Sequence, residues 1–129
     1  MQLLYPLGTG SKWGDNELRY SLRSAHRHTP VTNVVVVGHR PHWLQCTHVP
    51  AVDLSSDKVG NVLHKLRTAL RSGLLHEEFV LMNDDFLFRQ KMASVPVLVR
   101  GSLADRLRTM PGNSYYKPLH ERALIELRA

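Results

Sequence analysis

Asn83-Asp84-Asp85 sets two adjacent carboxylates directly after an apolar run, Glu78-Phe-Val-Leu-Met82. Neighbouring carboxylates repel unless they are solvated or a cation lies between them and an anionic ligand. Mg²⁺ takes one or two carboxylates and completes its shell with substrate phosphate oxygens, which is what a departing nucleoside diphosphate needs. Asp84 and Asp85 are therefore candidate metal ligands. The competing reading is a plain polar turn, where Asn and Asp are common.

A second candidate is Leu7-Gly-Thr-Gly-Ser-Lys-Trp-Gly14. Its small residues leave backbone amides free to face phosphates, and Lys12 adds charge. The spacing matches neither Gly-x-x-x-x-Gly-Lys-Ser/Thr nor Gly-x-Gly-x-x-Gly, so a flexible strand-to-helix connection is the alternative. Arg19 and Arg23 come next, four residues apart on one helical face, where they could fork onto a diphosphate or form a solvated basic face. Trp13 and Trp43 fall in predicted loops and suit either stacking on a base or sugar, or a core. Eight histidines contain no His-Glu-x-x-His pattern, and Pro41 within His39-Arg-Pro-His42 removes the helical ligand spacing of zinc enzymes.

These residues need elements to position them. Residues 2–5 read as a first strand ended by Pro6. A helix capped by Asp15 or Asn16 carries Leu18, Leu22 and Ala25 at helical spacing and stops before Pro30. Asn33-Val-Val-Val-Val-Gly38, apolar without alternation, reads as a strand covered on both faces, as in a parallel sheet. Residues 47–49 give a short third strand. Residues 57–72 give an amphipathic helix with Val59, Val62, Leu63, Leu66, Ala69 and Leu70 inward, and Lys58, Lys65, Arg67 and Arg71 off that face. Residues 78–82 form a fourth strand. Residues 93–100 suggest an edge strand around Pro96. A short helix through Leu103 and Leu107 and a terminal helix over 118–129, with Leu119, Ala123, Leu124 and Leu127 inward, complete the chain. The β-α-β-β-α-β order predicts an α/β fold with a mostly parallel sheet flanked by helices, as one small domain over residues 1–129. In such sheets ligands bind beyond the carboxyl ends of the strands, where the 7–14 loop, Gly38-His39-Arg40 and Asn83-Asp84-Asp85 would converge.

Composition narrows the class. The 129 residues carry 17 Lys and Arg against 11 Asp and Glu, a formal charge of +6, and the isoelectric point is about 9.9. Such a chain attracts phosphates, sugar nucleotides and nucleic acids alike. A single cysteine, Cys46, excludes an internal disulfide and a Cys-based zinc site, and reads as a buried, inert thiol. The N-terminus lacks a signal-peptide pattern, and no apolar stretch approaches the roughly 20 residues that span a bilayer, so a cytoplasmic protein is expected.

The most specific stretch is Tyr5-Pro-Leu-Gly-Thr-Gly-Ser-Lys-Trp13 followed by Asn16-Glu-Leu-Arg-Tyr-Ser-Leu-Arg-Ser24. It resembles the first conserved region of the Stealth family of sugar-phosphate transferases. Val34-Val-Val-Val37, Pro41-x-Trp43-Leu44 and the run from Phe79 to Asp85 are similar to the succeeding segments of that family, up to the Asn-Asp-Asp that closes its second conserved region. The likeness covers residues 4–86. The resemblance implies a core like the GT-A glycosyltransferase fold, with a strand-end acidic motif binding Mg²⁺ or Mn²⁺. It implies that Gly8, Thr9, Gly10 and Ser11 approach the nucleotide. Asn16, Glu17, Arg19 and Arg23 would line the donor site, and Asn83, Asp84 and Asp85 the metal and phosphates. The chain departs from the family where an acidic Asp-Gly-Ser loop is usual, since it has Leu7-Gly-Thr-Gly-Ser11 instead. It also lacks or shrinks the third and fourth conserved regions, and Tyr116-Lys-Pro-Leu-His120-Glu-Arg122 is only faintly similar to the family's catalytic histidine segment.

These departures point to a pared-down, metal-dependent glycosyltransferase of the kind compact phage genomes carry, using a UDP-sugar donor in a bacterial host cytoplasm. Its acceptor would be a glycan or a hydroxymethylated DNA base. Lys12, Arg19 and Arg23 would bind the diphosphate, Asp84 and Asp85 the metal, and Asn83 would orient the donor. His120 and Asp53 are the candidate bases. Two alternatives stand beside this: Stealth-type sugar-1-phosphate transfer, and a non-catalytic basic nucleic-acid module. The small core leaves room for a homo-oligomer.

Overall fold

The computed structural model describes residues 1–54, 56–96 and 101–128. The chain divides into two compact units, Met1–Val95 and Pro96–Ala129.

The first unit holds four strands, all parallel, in the order β3-β2-β1-β4. β1 (Gln2–Leu7) pairs along its whole length with β2 (Asn33–Gly38), from Gln2 opposite Asn33 to Leu7 opposite Gly38. β3 (Thr47–Val49) adds to the outside of β2, and β4 (Val80–Leu81) pairs with Leu3 and Leu4 of β1. The valine run is buried on both faces, as its lack of alternation predicts. On one face Leu3, Tyr5, Leu7 and Val36 pack with Leu18 and Ala25 of α1 (Asn16–His28). On the other, Leu4, Val35, Val37 and Val49 pack with Ala69 of α2 (Lys58–Arg71). The helices therefore cover opposite faces, in the expected β-α-β-β-α-β order.

Four expectations are corrected. Pro6 does not end the first strand but lies within β1 opposite Val37. The Leu4 carbonyl accepts from the Met82 amide, so even-numbered residues of β1 face β4. β4 ends before reaching Pro6, so the amide that proline lacks points to an edge, where none is needed. The fourth strand spans two residues rather than five. Residues 93–96 form no strand, and 97–100, the rest of that proposed strand, lie outside the described residues.

The fourth correction concerns α2. Its buried residues are Asn61, Lys65 and Ala69, while Leu63 and Leu70, assigned inward on periodicity, are 50% and 60% exposed. The connection from β3 decides this rotation. The Leu54 amide donates to Asn61 Oδ1 at 2.9 Å, and Asp53 pairs with the Lys65 ammonium. A polar stripe at positions 61 and 65 thus faces the strand ends, and part of the apolar face is left in solvent.

The second unit contains α3 (Leu103–Thr109) and α4 (Lys117–Arg128). A reciprocal capping box between Ser102 and Asp105 starts α3, satisfying amides that have no intrahelical partner. In α4, Leu119 is partly exposed. No helix among the described residues is long and apolar enough to cross a membrane.

Candidate functional site

A cleft of about 600 Å³ lies at the carboxyl ends of the strands. Its walls are the loop from Gly8 to Trp13, Glu17 of α1, Asp53, Lys58 and Lys65 of the β3–α2 connection and α2, and Asp84 after β4. The loop and the acidic turn, about 70 residues apart in sequence, therefore face one space.

Ser11 organises the loop. Its hydroxyl accepts from the amides of Trp13 at 3.2 Å and Asp15 at 2.9 Å, and donates to Glu17 Oε2 at 3.1 Å. A hydroxyl can carry all three bonds at once. Asp15 is the residue before the helix, as expected, but its side chain caps nothing. It takes a left-handed conformation with φ 58°, which Asp tolerates, and its carboxylate faces His39 Nε2 at 3.5 Å.

The acidic turn is held from beneath. Ser21, fully buried on α1, shares a 2.9 Å hydrogen bond with the Tyr5 hydroxyl and donates to the Phe86 carbonyl at 2.6 Å. Ser24 accepts from the Phe88 amide at 3.0 Å. The two serines of the Asn16–Ser24 run thus fix the segment after Asp85, and burial raises the Tyr5 hydroxyl above its ordinary range.

Within the turn the two acids separate. Asp84 lines the cleft, whereas Asp85 lines a different, apolar depression with Val80, Phe86 and Leu87. Burial raises the Asp84 carboxyl above the usual carboxylate range, and the charges of Asp85 and Glu17 push the same way. The acid that shares the cleft with Asp84 is thus Glu17. Lys12 and Lys58 line the same space, so two carboxylates and two ammonium groups are presented together, apart from the Asp53–Lys65 pair.

Among the described residues no group of three or more His, Cys, Asp or Glu side chains could hold a metal by itself. The donor set nevertheless suits Mg²⁺ or Mn²⁺ in one mode. Asp84 and Glu17 supply hard oxygen ligands, and such ions habitually complete their shell with phosphate oxygens and water.

Other predicted residues lie elsewhere. Arg19 stacks its guanidinium on the Trp43 ring at 4.2 Å, and its Nε is buried without a hydrogen-bond partner. Arg23 lines a groove with Tyr20, Arg27 and Arg89. Asn16 and Asn83 are exposed and do not line the cleft. His120 is in the second unit, with Nδ1 2.8 Å from the Tyr116 carbonyl. Cys46 is half-buried, and desolvation pushes its thiol up, in keeping with an unreactive side chain.

Lys58, Asn61 and Lys65 were not assigned to the site from sequence. Their three- and four-residue spacing on a helix that follows a strand is the signal that could have found them. Lys65 is 3% exposed. Its stem passes so close to Gly38 that a β-carbon there would lie 2.6 Å from Lys65 Cε and 2.3 Å from the Leu7 carbonyl oxygen. Gly38 also has φ 106°, a conformation open to glycine.

Against known proteins, the chain is 36% identical over 93 residues to "N-acetylglucosamine-1-phosphotransferase subunits alpha/beta" of Homo sapiens, covering 62% of this chain and 7% of that protein. The Mus musculus protein of the same name is 34% identical over 93 residues, with 62% and 8% covered. The chain thus spans less than a tenth of these relatives. No protein-family profile and no solved structure matches it. The similarity is to sugar-phosphate transferases, in agreement with the resemblance carried by the N-terminal motifs.

Proposed function

We propose that the cleft binds a nucleotide sugar and serves transfer of a sugar-1-phosphate from it. The observation that carries this reading is the convergence of the Gly8–Lys12 loop, Glu17 and Asp84 at the carboxyl ends of parallel strands. The named relatives favour phosphoryl transfer over the glycosyl transfer first expected, and make a UDP-N-acetylhexosamine the first donor to try.

The loop amides and Lys12 bind the diphosphate, and Lys58 adds positive charge from the opposite wall. Asp84 and Glu17 would hold Mg²⁺ or Mn²⁺, which would supply neutralisation of charge on the phosphate oxygens and the leaving group. An acceptor hydroxyl oxygen forms a bond to the phosphorus that carries the sugar, and the bond from that phosphorus to the nucleoside monophosphate breaks. The hydroxyl proton passes to a carboxylate of the cleft, and Asp53 is the candidate base that lines it. Fixed charges that need no reorganisation supply most of the stabilisation.

Phosphorus NMR of the products discriminates the readings. Release of UMP supports sugar-phosphate transfer, and release of UDP identifies glycosyl transfer. No turnover, together with no thermal shift from donor plus Mn²⁺, would reject both. Asp84→Asn should abolish the Mn²⁺-dependent thermal shift. It should also raise the melting temperature of the free protein at neutral pH. The native carboxyl is held above its ordinary pKa, so its stabilising protonation is complete at low pH and is lost as pH rises through the raised value. That gain should therefore vanish in acid. A variant that melts lower and keeps its Mn²⁺ response would place Asp84 outside the site.

A further inference from the structure

We propose that the face formed by α1 and residues 87–92 is a binding surface for single-stranded nucleic acid, separate from the cleft. Two adjoining depressions of about 400 and 340 Å³ share Arg27 and His28. Together they are lined by Arg23, Arg27, Arg89 and Lys91. Among the described residues no carboxylate lines either one, and none of these four side chains forms an ion pair.

The clustering is built by the fold and is not inherited from one charged segment. The 87–92 segment is tied to α1 by the Phe88 amide donating to Ser24 Oγ at 3.0 Å and the Met92 amide donating to the His28 carbonyl at 2.8 Å. These bonds bring Arg89 and Lys91 against Arg23 and Arg27, which lie far away in sequence. Like charges gathered without a counter-charge repel, and a polyanion relieves that repulsion while releasing its own counterions. His28 adds a buried Nδ1 that has no hydrogen-bond partner.

Phosphate and stacking chemistry coincide here. Arg23 and Arg27 are one turn apart on α1, and arginine forks match phosphate oxygens. Tyr20, 62% exposed, lies beside them in the same groove. An exposed aromatic among arginines is the arrangement that holds unpaired bases, whose faces are free to stack. A duplex hides those faces, and a sulfated glycan offers charge without them.

The test is fluorescence anisotropy with a labelled oligothymidylate of about ten nucleotides, within the site sizes such surfaces use. Binding should weaken with salt with a log–log slope near −3, from about −0.7 per phosphate over four contacts. Arg27→Glu with Arg89→Glu should weaken it at least roughly tenfold, whereas Arg27→Lys with Arg89→Lys should retain most of it. Tyr20→Ala should weaken oligonucleotide binding several-fold and leave heparin binding unchanged. Lys12→Ala, in the cleft, should leave oligonucleotide binding unaltered. The proposal is overturned if no binding appears at low salt, or if Tyr20→Ala is silent while heparin displaces the oligonucleotide at equal charge. It is overturned equally if Lys12→Ala abolishes binding, which would place the strand in the cleft. None of these outcomes bears on the donor reading, which rests on Mn²⁺ and the nucleotide sugar.

Discussion

α1 and α2 cover opposite faces of the same sheet, and both are amphipathic, yet they dock by different rules. Of the positions its apolar periodicity marks, α1 buries Leu18 and Ala25 and partly buries Leu22, along with Ser21. α2 buries Asn61 and Lys65 with Ala69, and leaves Leu63 and Leu70 in solvent. The difference lies in what each helix crosses. α1 lies over a face built of Leu3, Tyr5, Leu7 and Val36, and its one buried polar side chain, Ser21, bonds the Tyr5 hydroxyl and the Phe86 carbonyl without turning the apolar positions away from the sheet. α2 passes the strand ends, where its buried Asn61 and Lys65 find their partners in the Leu54 amide and the Asp53 carboxylate. Leaving such groups buried and unpaired costs on the order of 1–3 kcal/mol each, comparable to the gain from burying one more leucine. Hydrogen bonding therefore selects the rotation of α2, and that rotation delivers Lys58 and Lys65 to the cleft.

Four substitutions sharpen or break this contrast. Gly38→Ala should have the largest effect. Its β-carbon meets the Leu7 carbonyl and the Lys65 stem, and its φ is positive. A loss of roughly 3–5 kcal/mol is expected in urea unfolding. A near-neutral result would mean that Lys65 does not run beneath Gly38. Leu18→Ala on α1 should cost about 2–4 kcal/mol by the same measurement, from lost transfer energy and the cavity left behind. Leu63→Gln and Leu70→Gln on α2 should each stay within about 0.5 kcal/mol, as exposed positions do. If either costs as much as Leu18→Ala, α2 packs by its apolar face and the cleft loses its Lys65 wall.

The candidate site shows a similar split between what spacing can mark and what geometry must decide. Asn83-Asp84-Asp85 stands out because two adjacent acids end an apolar strand. Only the turn geometry, with the Phe86 amide bonded to the Asn83 carbonyl and Ser21 holding the Phe86 carbonyl, sends Asp84 into the cleft and Asp85 away from it. The run from Asn16 to Ser24 reads as one motif in sequence. In space its residues part company: Glu17 faces the cleft, Arg19 stacks on Trp43, Ser21 and Ser24 hold the acidic turn, and Arg23 joins the basic groove. Helical periodicity distributes neighbours around an axis, so adjacency in a motif does not mean adjacency in a site.

The sequence by itself determined the parallel sheet, its β-α-β-β-α-β order and the positions of the glycine loop and the acidic turn. These depend on local patterns: an unalternating valine run, helical spacing of apolar residues, and polar breaks at strand ends. Only the tertiary structure decided that Pro6 could stay inside β1, that α2 would turn a polar stripe inward, and that Glu17 would be Asp84's companion. Each of those outcomes depends on a partner far away in the chain, whether the short reach of β4, the groups at Asp53 and Leu54, or the serines beneath the turn. No local pattern encodes a partner that folding alone brings near.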